Sequence, residues 1–523
     1  MASMRSIVVG TLLVAVLCAA AAIALRHRDE LPPPSLPAQP GAAAVTLDAL
    51  RPQVTAFCGD CHALPSPSGF PKQAWHEEVK RGYNFYFLSE RTDLSPPDFE
   101  QVVDWFRNQA PEEIVIGRQP EAPTSGMPRF RMTAIADGDG EGFLPGVSSI
   151  KWCAPLNADQ RVLLWTDMRT GELRAADPRS TPPISSSVVQ LAHPAHAEPC
   201  DLDGDGRTDL VVAELGSVLS ADHTEGKVIW LRRTADGGWE PKILQSGLGR
   251  VADVEPGDFD GDGDLDLVVA EFGYRITGRI LLLENLGNRD GGPEFQMRVL
   301  DPRHGTIHVP SIDLDGDGRL DFIALISQEH ETVVAFLNDG AGGFRRETIF
   351  SANEPAFGST GIQLVDLDAD GDLDVLYTNG DTFDSFYRKP YHSIRWLENQ
   401  GSFPFLDRHL ATMPGVHRAL ACDLDGDGDL DVVACALLSR RIQGRERPSD
   451  LDSLLWLERS DDGNYLRHSL ERETCQHAAL EVGDFDRDGD IDLAVGNFPD
   501  TGRQPSLTVW WNLGNNAERD RQR

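Results

Sequence analysis

The chain of 523 residues carries 83 Asp and Glu against 48 Lys and Arg, a formal charge of −35 at neutral pH, and 40% of its residues are hydrophobic. That charge excludes nucleic acid and anionic membrane surfaces as electrostatic ligands. The apolar fraction supports sizeable cores, and the length exceeds that of one small domain.

Residues 6–25, SIVVGTLLVAVLCAAAAIAL, are 20 residues without charge behind Arg5. Such a run is long enough to span a bilayer. Its Ala-rich end also suits a cleavable secretion signal. Residues 1–25 are therefore expected to export the chain, either as a membrane tether through 6–25 or as a signal that is removed. Cys18 follows Leu17 and no small residue, which argues against a lipoprotein. Residues 26–44 include LPPPSLPAQPGAAA, a stiff Pro-rich spacer.

The next signal is Cys58-Gly-Asp-Cys61-His62. C-x-x-C-H is an attachment site for c-type haem, with two thioethers to the porphyrin and the histidine as proximal ligand. Zinc would need two further ligands, and His76 is the only candidate nearby. Helices are expected over 47–57, over 71–79 with Pro71 at its start, and over 95–111 with Ser95 capping and Asp98 three residues on. The last carries Phe99, Val102, Val103, Trp105 and Phe106, suited to packing on a porphyrin.

Residues 45–118 thereby resemble a small single-haem cytochrome c domain. The resemblance implies haem c held by Cys58, Cys61 and His62, exchanging electrons with a redox partner protein or a small-molecule donor or acceptor. Such domains usually bring a Met to the distal side, and none lies between His62 and Met127. The sixth position stays open among His76, Tyr83, Tyr86, Met127 and an empty site.

Six copies of one acidic loop fill the remainder: DLDGDGRTD, DFDGDGDLD, DLDGDGRLD, DLDADGDLD, DLDGDGDLD and DFDRDGDID. Each has Asp at positions 1, 3, 5 and 9 and Gly at 6. The residues are Asp201, Asp203, Asp205 and Asp209; Asp258, Asp260, Asp262 and Asp266; Asp313, Asp315, Asp317 and Asp321 in the first three loops. In the last three they are Asp366, Asp368, Asp370 and Asp374; Asp423, Asp425, Asp427 and Asp431; Asp484, Asp486, Asp488 and Asp492. Alternating carboxylates on a tight turn supply the oxygens Ca²⁺ requires, and Gly allows the turn. About six Ca²⁺ ions are expected.

Successive loops start 57, 55, 53, 57 and 61 residues apart, and each runs into an apolar stretch. A period of that size with several short strands predicts a propeller. An inner strand ends at each loop and the apolar strand follows. Third strands are predicted at 228–233, 280–285, 333–338, 394–399, 454–459 and 508–513. Fourth strands are predicted at 239–244, 295–300, 344–349, 405–410 and 465–470. The last blade lacks its fourth strand, and PRFRMTAI (128–135) has that pattern with no blade of its own, so it is expected to close the ring. One blade of sequence lies between, with 152–167 as a degenerate loop retaining only Asn157 and Asp159. The count is seven blades over 128–514, followed by a polar tail at 515–523.

This repeat resembles the FG-GAP/VCBS family, the propeller of integrin α-chains and of many bacterial surface and secreted proteins. The resemblance implies structural ions, and with the haem motif it implies an extracytoplasmic location. The expected fold is therefore mainly β, a seven-bladed propeller with Ca²⁺ loops behind a small all-α haem domain and an N-terminal hydrophobic segment. Once Cys18, Cys58 and Cys61 are set aside, Cys153, Cys200, Cys422, Cys435 and Cys475 remain, an odd number that cannot all pair, and Cys200 and Cys422 are read as buried apolar fillers and not a bridge.

The propeller face opposite the Ca²⁺ loops is expected to carry the longest insertions, 379–393 and 435–453. His193, His196, His304, His308, His417 and His477 also fall at starts of inner strands, with Glu198, Glu255 and Glu481 three residues before their loops. They are expected to converge at the channel mouth or to serve as structural junction residues. No catalytic constellation is recognisable. Two functions stand: electron transfer through haem with the propeller as docking or substrate-binding scaffold, and an adhesion or ligand-binding propeller with an accessory or sensory haem.

Overall fold

The computed structural model describes residues 47–117, 120, 127–137, 143–154, 161–289, 291–383, 385–439 and 451–514. The export segment 1–25, the spacer 26–44, Asn157 and Asp159, most of the 435–453 insertion and the tail 515–523 lie outside them. No helix of the described residues is long and apolar enough to cross a membrane. The described chain forms two compact units, residues 47–60 with 71–112, and residues 61–70 with those from 113 onward.

The first unit has three helices, α1 (Leu47–Cys58), α2 (Trp75–Leu88) and α3 (Phe99–Arg107). Two starts differ from the sequence expectation. Pro71 lies in a turn that the Ala74 amide closes on its carbonyl at 2.9 Å, and α2 begins only at Trp75. Asp98, not Ser95, caps α3, its carboxylate accepting from the Gln101 amide at 3.1 Å. Pro96 and Pro97 hold the residues before them extended, so Ser95 cannot begin a helix. Val102, Val103, Trp105 and Phe106 are buried within this unit. Trp75 stacks on Phe106 at 4.1 Å, and Phe57 meets Tyr83 edge-on at 4.9 Å.

The second unit is a seven-bladed propeller of antiparallel sheets; six blades are built of successive strands, the inner strand of blade four being in two pieces, and the seventh takes its fourth strand from earlier in the chain. Its inner strands are Val147–Cys153, Pro194–Cys200, Val251–Gly257, Thr306–His308 with Ser311–Ile312, Ser359–Val365, Val416–Cys422 and His477–Gly483. Each adjoins the inner strands of the blades before and after it, which makes a ring. The second strands, such as Asp209–Glu214 and Asp266–Glu271, are buried along their whole length. They read as unbroken apolar runs because blades cover them on both faces. Trp230, Val211, Val269 and Leu283 fill the space between blades two and three in this way.

Phe130–Ala134 supplies the missing fourth strand of blade seven. It pairs antiparallel with Leu507–Asn512, Phe130 opposite Asn512 and Ala134 opposite Thr508. The Trp511 indole donates to Thr133 Oγ1 at 3.0 Å. The ring is thus closed by the earliest strand of the unit on the last.

Residues 61–70 pack against blade five and its insertion. The Ser66 amide donates to Glu354 Oε2 at 2.8 Å, and the buried Lys389 ammonium donates to the Gly69 carbonyl at 2.9 Å. That ammonium also sits 3.0 Å over the Phe70 ring. The described cysteines are all free of disulfides, in keeping with the filler reading.

Ring closure yields a paired comparison. A chain lacking residues 1–127 is expected to stay soluble, whereas one lacking 1–136 exposes the backbone edge of Leu507–Asn512 and should aggregate. Size-exclusion chromatography checks this, and equal solubility would remove the closing role of Phe130–Ala134.

Candidate functional site in the propeller channel

The six acidic loops share one internal architecture. In every loop the position-1 carboxylate accepts from the position-6 glycine amide: Asp201 from Gly206 at 2.8 Å, Asp258 from Gly263 at 3.1 Å, Asp313 from Gly318 at 2.9 Å, Asp366 from Gly371 at 3.0 Å, Asp423 from Gly428 at 3.2 Å and Asp484 from Gly489 at 3.1 Å. These glycines hold φ between 84 and 102°, where a β-carbon is disfavoured. Position 4 is left-handed as well, even where it is Ala369 or Arg487. The Asp at positions 3 and 5 extend from the turn, so Asp201, Asp203 and Asp209 place ligand oxygens within 4.8 Å of one another, as do Asp258, Asp260 and Asp262.

The position-9 Asp has a further task. One Asp266 oxygen accepts the Asn285 amide at 2.7 Å and the other accepts Phe259 at 3.1 Å. Asp321, Asp374, Asp431 and Asp492 repeat this, each joining the end of the third strand to loop position 2. Burial lifts the Asp266 carboxyl to about 6 and those of Asp431 and Asp492 to about 7, against the amides that favour the charged form.

In the C-x-x-C-H motif, Cys58 is the last residue of α1, and Cys61 and His62 lie in the turn that follows. Neither cysteine is in a disulfide, and burial raises the Cys58 thiol to about 12. His62 Nδ1 is hydrogen-bonded to the Ala63 carbonyl at 2.8 Å, which leaves Nε2 as the nitrogen to face a metal. Two thiols and an imidazole are the residue types that covalent haem attachment uses. Of the distal candidates, the Tyr83 hydroxyl donates to the Pro97 carbonyl at 2.7 Å and Tyr86 to the Leu94 carbonyl at 3.0 Å. Met127 packs against the core of blades six and seven. His76 is half-exposed, 3.1 Å from Glu77.

The propeller channel gathers a second set of groups. Every inner strand has a register shift near its start, and the residue just after it takes an equivalent place in all seven blades: Ser149, His196, Asp253, His308, Gly361, Arg418 and Ala479. A bulge re-aims the side chain that follows it. Two residues on lies a second tier containing Lys151, Glu198, Glu255, Gln363 and Glu481.

Cross-blade contacts link these tiers. His196 Nδ1 lies 3.1 Å from Asp253 Oδ1, and His308 Nδ1 lies 3.6 Å from Asp253 Oδ2. His196 Nε2 meets Glu198 at 2.6 Å, and Lys151 ion-pairs with the same carboxylate. Arg418 donates to the Ile362 carbonyl at 2.8 Å. Burial alone would raise Asp253, but the charges and hydrogen bond of His196 and His308 hold it well below the usual carboxylate range. Glu255 goes the other way, because burial and the facing Glu198 and Asp253 all oppose its charge. Burial raises Glu481 to about 7 and lowers His417 to about 4.

Of the six histidines read at blade starts, His196, His308 and His417 join this constellation. The other three do not. His193 bonds the Met168 carbonyl at 2.8 Å, His304 meets Glu329 at 3.1 Å and His477 meets Glu471 at 2.6 Å. They precede the bulge and so turn toward neighbouring loops. Lys151, Asp253 and Arg418 were missed by the sequence reading. The signal was present: His196, Asp253, His308, Gly361, Arg418 and Ala479 each stand five residues before their loop.

The loop architecture predicts unequal costs within one loop. Asp266→Ala leaves two buried amides without an acceptor and is expected to lose about 3 kcal/mol without calcium. Asp260→Asn, at an exposed position, should lose less than about 0.5 kcal/mol under the same conditions. Urea unfolding in a chelator compares them, and equal losses would show that Asp266 does not clamp the blade.

A family profile described as FG-GAP-like repeat matches residues 201–269 and 313–377, the first and second, and third and fourth, of the acidic loops with their strands. No curated protein matches the chain significantly. The chain carries FG-GAP-like repeats arranged as a seven-bladed β-propeller.

Proposed function

We propose that the protein is an extracytoplasmic ligand-binding scaffold, a calcium-clamped propeller that binds its ligand on the face opposite the acidic loops. One observation carries this reading: FG-GAP-like repeats build a propeller whose channel gathers ionisable groups from several blades. Propellers of this repeat are typically extracellular or periplasmic, where calcium is available to the loops. The position-1 and position-9 Asp already organise the turn, as Asp258 and Asp266 do, and the Asp at positions 3 and 5 add their carboxylates beside them. Ca²⁺ would then neutralise carboxylates that crowd each other and share its binding energy with folding.

Chelation is therefore expected to lower the melting temperature of the propeller. Each loop contributes about 2.7 kcal/mol at a hundredfold excess of Ca²⁺ over its Kd. Calorimetry with calcium and with EDTA measures this, and superimposable curves would exclude calcium as the structural ion.

A second component of the reading is a covalent haem c on Cys58, Cys61 and His62. The carbonyl-tied His62 ring and the C-x-x-C-H spacing of Cys58, Cys61 and His62 support it. When bound, the group supplies one-electron transfer. The chain's own part is to present two thiols, orient one imidazole through Ala63 and anchor the following turn through Ser66 and Gly69. Haem-stained gels of protein expressed with a haem-attachment system test this. The wild-type band should stain, and a Cys58→Ser/Cys61→Ser double variant should not. Equal covalent stain in both would remove the haem and leave the scaffold reading in place.

A further inference from the structure

The three residues at the top of the channel in blades two, three and four are His196, Asp253 and His308. A ligand atom from each lies within 4.8 Å of the other two. We infer that they form a binding site for a divalent first-row transition-metal ion, with the open coordination positions facing the channel. Two imidazoles and one carboxylate are ligands for such an ion, and imidazole discriminates against Ca²⁺.

The surroundings are those of a built site. Asp253 is 1% exposed and its Oδ2 is held by the Val309 amide at 3.0 Å, next to His308 itself. Its geometry is thus tied to one of its partners. The His196 and His308 side chains keep 14% and 23% of their surface open, so the set is buried at its root and accessible at its tip. His196 also offers its second nitrogen to Glu198 at 2.6 Å, the carboxylate–histidine arrangement that orients a metal-bound imidazole. Lys151 holds that Glu198 in turn. Blade five places Gly361 at the same tier and so adds no further side-chain donor there.

The loops and this triad differ in kind. The loops present oxygen alone, on exposed turns at the other end of the inner strands. The triad presents nitrogen and oxygen from three successive blades, which meet where their inner strands pack side by side. Another group, His304, Glu329 and His330, also has its ligand atoms within 4.8 Å of one another, but it lies at a blade junction away from the channel tiers. It provides the internal control.

The inference rests on the channel being the binding face, yet its test is independent of the calcium clamp, which is read in thermal stability. Full-length protein is stripped with chelator, returned to millimolar Ca²⁺ to fill the loops, dialysed against Zn²⁺ and then against buffer, and analysed for zinc. Wild type is expected to retain one equivalent beyond any held by Cys58 and Cys61, which are present in every variant. Asp253→Asn and His308→Gln should each lose that equivalent with calcium content unchanged, while His304→Gln and His477→Gln keep it. With Cu²⁺ as probe, the wild-type electron paramagnetic resonance signal should show coupling to two imidazole nitrogens, falling to one in His308→Gln. Should Asp253→Asn fail to fold, the half-exposed His308→Gln carries the comparison. No retained zinc in wild type, or loss in His304→Gln with retention in His308→Gln, overturns the assignment.

Discussion

A buried carboxylate at the ninth loop position recurs in every blade that carries an acidic loop, and the geometry of the propeller depends on it. In five of the six, one oxygen takes the amide at the end of the third strand and the other takes the amide at the second loop position, as Asp266 does with Asn285 and Phe259; in the first loop, Asp209 takes the Arg233 amide and the Trp230 indole. Three strands of the blade are thereby pinned at one end by a single side chain. A buried amide without an acceptor would cost about 1–3 kcal/mol, so the residue cannot drift without releasing the turn. The position-1 Asp then folds the loop over itself through the position-6 amide. The carboxylates at positions 3 and 5 are presented on a frame that already exists.

That frame determines what happens at the opposite end of each inner strand. With the loop end fixed, the extra residue of each inner strand is absorbed as a bulge at its start, and the bulge aims the next side chain at the following blade. Seven equivalent positions result, and they are filled unequally. Blades two, three and four supply His196, Asp253 and His308, blade five supplies Gly361, and blade six supplies Arg418. A repeated scaffold thus carries a non-repeated set of side chains, so stability and specificity are held by different residues of the same strand.

Much of the architecture was legible because the repeat is strong. Acidic loops at a near-constant period identify the blades, and an orphan strand pattern at 128–135 identifies the closure, since an open propeller edge is untenable. The helix starts were less legible. Pro71 fits the first turn of a helix as well as the turn before one, and Ser95 resembles a cap until the two prolines after it are considered. The histidines misled in part for a related reason. His193, His304 and His477 lie within a few residues of His196 or its counterparts, but on the other side of the bulge, and one residue in a strand reverses the face a side chain takes.

The blade count, the acidic-loop pattern and the closing strand could be read from the chain alone, because each is a repeated or orphaned pattern whose spacing dictates geometry. Only the tertiary structure decided which polar side chains meet. His196, Asp253 and His308 are separated by 57 and 55 residues along the chain, and no local rule brings them together. Packing of successive blades does, by bringing their inner strands side by side, while the bulge selects which residue of each strand faces its neighbour.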